Sequence, residues 1–181
     1  MRPNQLLPLI ILLAFSSAAA ALRLHAGVLG VAALCARTDY PAVCLDAEKA
    51  FGSSYPPSPD AEDLLSMHLD MATKHTRAAK AAVEEQLRRA ADSREQGALK
   101  VCASQLGDAL DDMGKARDAI LVKDAGTANS MLSAVITYYS TCDDAFAEIK
   151  RANPVAKQDD ALARMISNAL ALGQLALAGN N

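Results

Sequence analysis

The sequence predicts an all-α protein: an up-down-up-down four-helix bundle behind a short N-terminal helical hairpin, held by two disulfides. Three observations predict it. Half of the 181 residues are apolar, yet aromatics make up only 4% and tryptophan is absent. A core of Leu, Ala, Met and Val suits closely packed helices. Apolar residues also recur at alternating spacings of three and four over long unbroken stretches. Finally, four cysteines stand behind an apolar leader, the pattern of a disulfide framework in an oxidising compartment.

Residues 1–21 read as a signal peptide. Arg2 supplies the positive start, Leu6 to Phe15 the apolar stretch, and Ser16 to Ala21 the small residues before cleavage after Ala20 or Ala21. A membrane anchor is the rival reading. The uncharged run from Leu6 to Leu22 is only 17 residues long and contains Pro8, so a cleaved leader is expected and the protein is secreted. Residues 22–181 then form one domain. Without Arg2 that domain carries 17 basic and 21 acidic residues, a net charge of −4. Mild acidity without charge runs argues against nucleic acid and membrane surfaces as partners. A lipid-binding helix would show basic flanks beside an exposed apolar stripe, whereas these polar faces mix both signs.

The elements follow in order. Val28 to Arg37 and Pro41 to Phe51 read as the two short helices of a hairpin spanning 27–51, with Pro41 in a first turn where its missing N–H is harmless. Residues 52–59, rich in Gly, Ser and Pro, are the linker. The bundle occupies 60–178. Ser58, Pro59 and Asp60 start its first helix, favoured by Asp60, Glu62 and Asp63, and nothing interrupts it before Arg89. The second runs from about Arg94 to Val122 on a stripe of Leu99, Cys102, Leu106, Ala109, Met113, Ala116 and Ile120. A turn at Lys123 to Gly126 leads to the third. Its expected seam is Ala128, Met131, Val135, Tyr138, Cys142, Ala145 and Ile149, widened by Leu132, Tyr139 and Phe146. Pro154 ends that region. The fourth helix, Lys157 to Leu177, is expected to bury Leu162, Met165, Ile166, Ala169, Leu170 and Leu172.

Cys102 and Cys142 fall on the core seams of consecutive antiparallel helices, equally far from the turn between them. Facing seam positions can meet the Cα spacing of about 4.4–6.8 Å that a disulfide needs. Cys35 and Cys44 flank the hairpin turn. The predicted bridges are therefore Cys35–Cys44 and Cys102–Cys142.

No residue pattern for chemistry is found. His68 and His75 lie about 10.5 Å apart by helical rise, too far to share a metal; with His25 they read as structural residues, at the surface or half buried. The doublets Asp111–Asp112 and Asp143–Asp144 point about 100° apart on a helix and read as solvated faces, not as a carboxylate pair for glycoside hydrolysis. Phosphate loops, HExxH and GxSxG are absent. The expectation is a non-enzymatic protein without metal or cofactor.

The sequence resembles the plant invertase and pectin methylesterase inhibitor family over nearly all of residues 22–181. Thr38-Asp39-Tyr40-Pro41 between Cys35 and Cys44 looks like its opening signature, and Asp63-Leu64 like its Asp-Leu motif. The stretches Leu99 to Cys102 and Gly107 to Met113 resemble its second-helix motif. Ser133 to Phe146, with Thr141-Cys142 and Asp144 before Phe146, is similar to its most specific segment. Leu106 departs from the family's usual tyrosine. The resemblance implies the same fold and bridges, and a protein that inhibits an enzyme in the apoplast or cell wall. Family members that block the esterase cap its cleft with bundle helices, whereas those that block invertase insert a Pro-Lys-Phe tripeptide that precedes the third long helix. Lys123-Asp124-Ala125 stands there instead. Pectin methylesterase is thus the expected target, acid invertase the alternative, and a monomer the expected state.

On that reading a rigid helical face occludes the cleft over about 1,600 Å². The expected target-binding residues are Ser104, Gln105, Asp108, Asp111 and Asp112 on the second long helix. Asn129, Ser130, Ser133, Thr137, Ser140 and Thr141 complete the face on the third. Ser, Thr and Asn are mediocre helix formers, so their concentration on an outward face points to recognition.

Overall fold

The computed structural model describes residues 30–177; the expected signal peptide and His25 lie outside the described residues. Residues 30–35 are helical (α1) and are followed by α2 (Pro41–Phe51), a 3₁₀ turn (Gly52–Ser54), α3 (Ala61–Arg89), α4 (Ser93–Leu121), α5 (Ala125–Glu148) and α6 (Ala156–Leu177). Among the described residues there is no strand. Each long helix packs on its chain neighbours, and α3 closes the ring against α6. That is the predicted bundle. The hairpin rests on α3 and α6 through α2.

Helix starts are set by aspartates. The Asp60 carboxylate accepts the Glu62 and Asp63 amides, both at 2.9 Å, while the Asp63 carboxylate accepts the Asp60 amide at 3.2 Å. This reciprocal box satisfies donors that a helix start leaves free. Asp92 caps α4 through the Arg94 and Glu95 amides, which holds its carboxyl below the usual range, and Asp124 caps α5 through Thr127. The capping aspartates make three-residue turns sufficient.

The helix ends are less obvious. Lys123 (φ 60°) and Lys150 (φ 56°) adopt the left-handed conformation. After α4, the Lys123 and Asp124 amides donate back to Ile120 and Ala119; after α5, Lys150 and Arg151 donate to Ala147 and Phe146. Both are Schellman ends with lysine where glycine is usual. Gly126, by contrast, lies inside the first turn of α5 with no positive φ.

The seven-residue stripe expected on α4 is buried throughout. α5 is rotated from its expected seam. Its buried line is Ala128, Leu132, Val135, Tyr139, Cys142 and Phe146, while Met131, Tyr138, Ala145 and Ile149 are half-buried at its edge. Of the two adjacent tyrosines, Tyr139 turns inward because Thr76 of α3 meets its hydroxyl at 2.7 Å. On α6, Leu162, Ile166, Ala169 and Leu172 are buried as expected, but Met165 and Leu170 remain half-buried. Asp159 and Asn168, unexpected on a core face, are buried instead.

Both predicted bridges form, with Cα atoms 5.4 Å apart for Cys35–Cys44 and 4.6 Å for Cys102–Cys142. His68 differs from its expected placement: it is fully buried, and His75 is exposed. The His68 ring fits because Nδ1–H donates to the Leu64 carbonyl at 2.7 Å, leaving Nε2 to face the Asn168 amide at 3.5 Å. Burial lowers its pKa and keeps the ring neutral. Asn168 also exchanges two 2.9 Å hydrogen bonds with the Tyr40 backbone, one each way. The Ser167 hydroxyl donates to Asp39 at 2.5 Å, and the Arg164 guanidinium lies 5.2 Å from the Tyr40 ring centre. The hairpin turn is thereby locked to α6.

Candidate functional site

The α4–α5 pair is clamped at mid-length by Cys102–Cys142. A second clasp joins one end, where the Arg151 guanidinium meets Glu95 at 2.7 Å and Asp92 at 3.3 Å. At the other end Lys123 pairs with Glu62 of α3. On the side of α4, Asp70 accepts from Arg117 at 2.6 Å and from the Tyr55 hydroxyl at 2.8 Å. Burial first, then the hydrogen bond to Asp70, pushes the Tyr55 hydroxyl up to about 12. The two helices therefore present a surface whose backbone cannot easily rearrange.

Ten of the eleven expected face residues are exposed or half-exposed. Ser104, Asp108 and Asp111 form an exposed row on α4; Ser130, Ser133, Thr137 and Ser140 form one on α5; Gln105, Asn129 and Thr141 are half-buried. Asp112 is the exception, only 6% exposed. It lies at the α4–α5 contact, where Lys115 donates to it at 2.7 Å and the Tyr138 hydroxyl at 3.0 Å. These partners replace the water it loses, and the same bonds raise the pKa of Lys115 and of Tyr138. The exposed acids of the patch are thus Asp108 and Asp111, with Asp112 neutralised beneath them. Sequence spacing alone missed Lys115 and Tyr138; a polar ring at a seam edge, opposite an aspartate, was the available signal.

The hydroxyls of α5 fold back on their own helix. Ser140 and Thr141 both donate to the Thr137 carbonyl at 2.9 Å, and Thr137 donates to Ser133 at 3.4 Å. Short side chains held this way leave a flat surface with little rotamer freedom to lose on docking.

The face is not a single plane. Helical geometry turns Ser140 toward α6, where it joins Ile136, Tyr139, Asp143, Asp159, Asp160 and Ala163 around a cavity of about 190 Å³. A larger cavity of about 280 Å³, lined by His75, Lys157, Gln158, Ala161, Leu162 and Met165, lies on the α3–α6 side. Asp111, Asp143 and Asp144 are exposed, as expected of solvated doublets, and Asp112 is not. Among the described residues no three His, Cys, Asp or Glu side chains converge as a metal site, and no helix is long and apolar enough to cross a membrane.

These features define a disulfide-clamped four-helix bundle that exposes a hydroxyl-rich and acidic helical surface. The chain belongs to the plant invertase/pectin methylesterase inhibitor family, whose model matches residues 30–172. A pectinesterase inhibitor from Actinidia deliciosa is 25% identical over 116 residues, 64% of this chain and 62% of that relative, so the match spans less than two thirds of the relative's length. The crystal structure of mutant form A of a pectin methylesterase inhibitor from Arabidopsis is similar with a TM-score of 0.65 at 17% identity, covering 78% of this chain and 93% of that one. That of a pectin methylesterase inhibitor from Arabidopsis thaliana gives 0.60 at 18% identity, covering 80% and 95%. The two solved structures share its fold.

Proposed function

We propose that this protein inhibits a plant cell-wall pectin methylesterase by stoichiometric occlusion of its active-site cleft. Residues 22–181 act as one inhibitor domain, secreted as a monomer once the leader is removed. The observation that carries this reading is the rigid α4–α5 face, in a chain whose family and whose Actinidia relative are described as inhibitors. Ser104, Asp108 and Asp111 together with Ser130, Ser133 and Thr137 would meet the enzyme, without catalysis by either surface. Occlusion needs area and complementarity rather than a reactive group, and a standard interface of about 1,600 Å² fits two helices of this length.

Acid invertase is the second reading, favoured by the α4–α5 turn. There Leu121 and Val122 are each 75% exposed beside Lys123, where related inhibitors carry their inserted tripeptide. The test is a paired titration of the oxidised domain against a plant pectin methylesterase and an acid invertase, near pH 5 and near pH 7. One-to-one loss of esterase activity alone is expected. Loss of invertase activity alone moves the function to the turn, and inhibition of neither by a folded sample refutes both.

A further inference from the structure

Between α5 and α6 the chain buries a carboxylate with half of its hydrogen-bonding capacity unused. Asp159 is 1% exposed; its Oδ2 accepts from the Asn153 amide at 2.8 Å, and its Oδ1 has no hydrogen-bond partner among the described residues. Buried carboxylate oxygens are ordinarily paired. The same Asn153 amide donates to Asp143 at 2.6 Å, while its Oδ1 accepts the Val155 amide at 2.9 Å. The cluster is thus built around the turn that opens α6; Asp159 is among the residues lining the 190 Å³ cavity, and its unpaired Oδ1 is covered beneath that wall. Asp143 adds negative charge at the rim, where Asp160 is already paired with Arg164 at 2.9 Å; Ser140 adds a hydroxyl, and Ile136 and Ala163 aliphatic walls. Burial, with Asp143 nearby and the Asn153 hydrogen bond opposing, raises the Asp159 pKa to about 6. The site therefore disfavours a bare carboxylate, and a proton or a neighbouring cation would relieve it.

The chemistry of the cavity selects among cations. Three carboxyls line it, but the described residues hold no metal-ligating group of three. A guanidinium fork asks for two coplanar acceptors, and one Asp159 oxygen is already committed to Asn153. An ammonium is a compact charge that the exposed Asp143 carboxylate and the Ser140 hydroxyl can satisfy above the buried Asp159, and its alkyl stem matches the aliphatic walls. We propose that the α5–α6 cavity is a binding site for an alkylammonium group, with the Asp159 carboxylate as its counter-ion. Two sources share that chemistry, a free polyamine and a lysine side chain of the protein target.

The test titrates n-butylammonium chloride into the oxidised domain and follows backbone amide shifts, with sodium chloride at equal ionic strength as reference. Saturable shifts at Ser140, Asp143, Asp160 and Ala163 are expected, with affinity falling about tenfold or more in Asp159→Asn, since the buried counter-charge is lost. Asp143→Asn, at an exposed position, decides the matter if Asp159→Asn does not fold; it should weaken binding several-fold. Shifts no larger than those from sodium, or equal affinity in the variants, overturn the site. Once butylammonium binding is established, spermidine binding with unchanged target inhibition by Asp143→Asn assigns the site to free amines. Weakened inhibition by that variant, with competition by butylammonium, assigns it to a target lysine. The lysine arm rests on the inhibitor reading; the titration with butylammonium does not, so the two fail separately.

Discussion

Replacing Asp159 with asparagine should make the protein markedly more stable at neutral pH while changing little at pH 4. The folded-state pKa of Asp159 is raised to about 6 from 3.8, chiefly by burial. The folded form therefore holds its proton more tightly than the unfolded chain, and stability falls as pH rises through the window from about 4 to 6. Below that window both states are protonated and the carboxyl contributes nothing. Above it the difference of about two pKa units corresponds to about 3 kcal/mol against folding, of which about 2.5 kcal/mol develops between pH 4 and pH 7.5. Asparagine keeps the acceptor for the Asn153 amide and the shape of the site, but carries no charge to desolvate. Thermal melts of both proteins across pH 4 to 7.5 should show a Tm gap that widens by about 5–10 °C in favour of the variant. His68 acts with the opposite sign: its lowered pKa means that stability is lost as pH falls below the ordinary histidine range. That contribution is common to both proteins and cancels in the difference. Parallel melting curves, with the same gap at both ends of the range, would refute the reasoning.

Four further outcomes are expected. Cys102→Ala with Cys142→Ala opens a loop whose ends are 40 residues apart and should lower stability by about 4 kcal/mol in urea denaturation; an unchanged midpoint contradicts the bridge's role. Lys150→Gly, at a left-handed position with φ 56°, should stabilise by about 1 kcal/mol, and a loss of stability would count against that backbone conformation. Asn168→Ala removes both bonds to Tyr40 and should cost about 2–3 kcal/mol, with faster hydrogen exchange confined to the hairpin; uniform exchange through the bundle would show that the lock is global. Asp108→Asn with Asp111→Asn should slow association with the target enzyme most strongly at low salt, and on-rates that ignore both charge and salt would remove these acids from the interface.

Legibility differed between local and tertiary features. The α4 stripe was readable residue by residue because a single uninterrupted three-four spacing admits one buried face. On α5 two adjacent stripes were apolar, and Tyr138 and Tyr139 are the same residue type. Only the Thr76 hydroxyl on α3 and Asp112 on α4 decide which ring turns in and which lies at the seam edge. Asp112 looked outward by composition, as one of a pair of aspartates; its burial depends on Lys115 one turn away and Tyr138 on another helix. The ends of α4 and α5 were likewise hidden, since lysine in place of glycine gives no stop signal until the backbone is seen.

By itself the sequence determined the helical class, the number and order of the long helices, the cysteine pairing and the stretch that forms the outer face. All of these depend on periodicity, capping residues and distance along one chain, quantities that are local. The tertiary structure alone decided the rotation of α5, the His68–Asn168–Tyr40 lock and the half-satisfied Asp159 beside its cavity. Each of these joins residues from different helices, and whether a polar group is stable in the core depends on which partners arrive there from elsewhere in the fold.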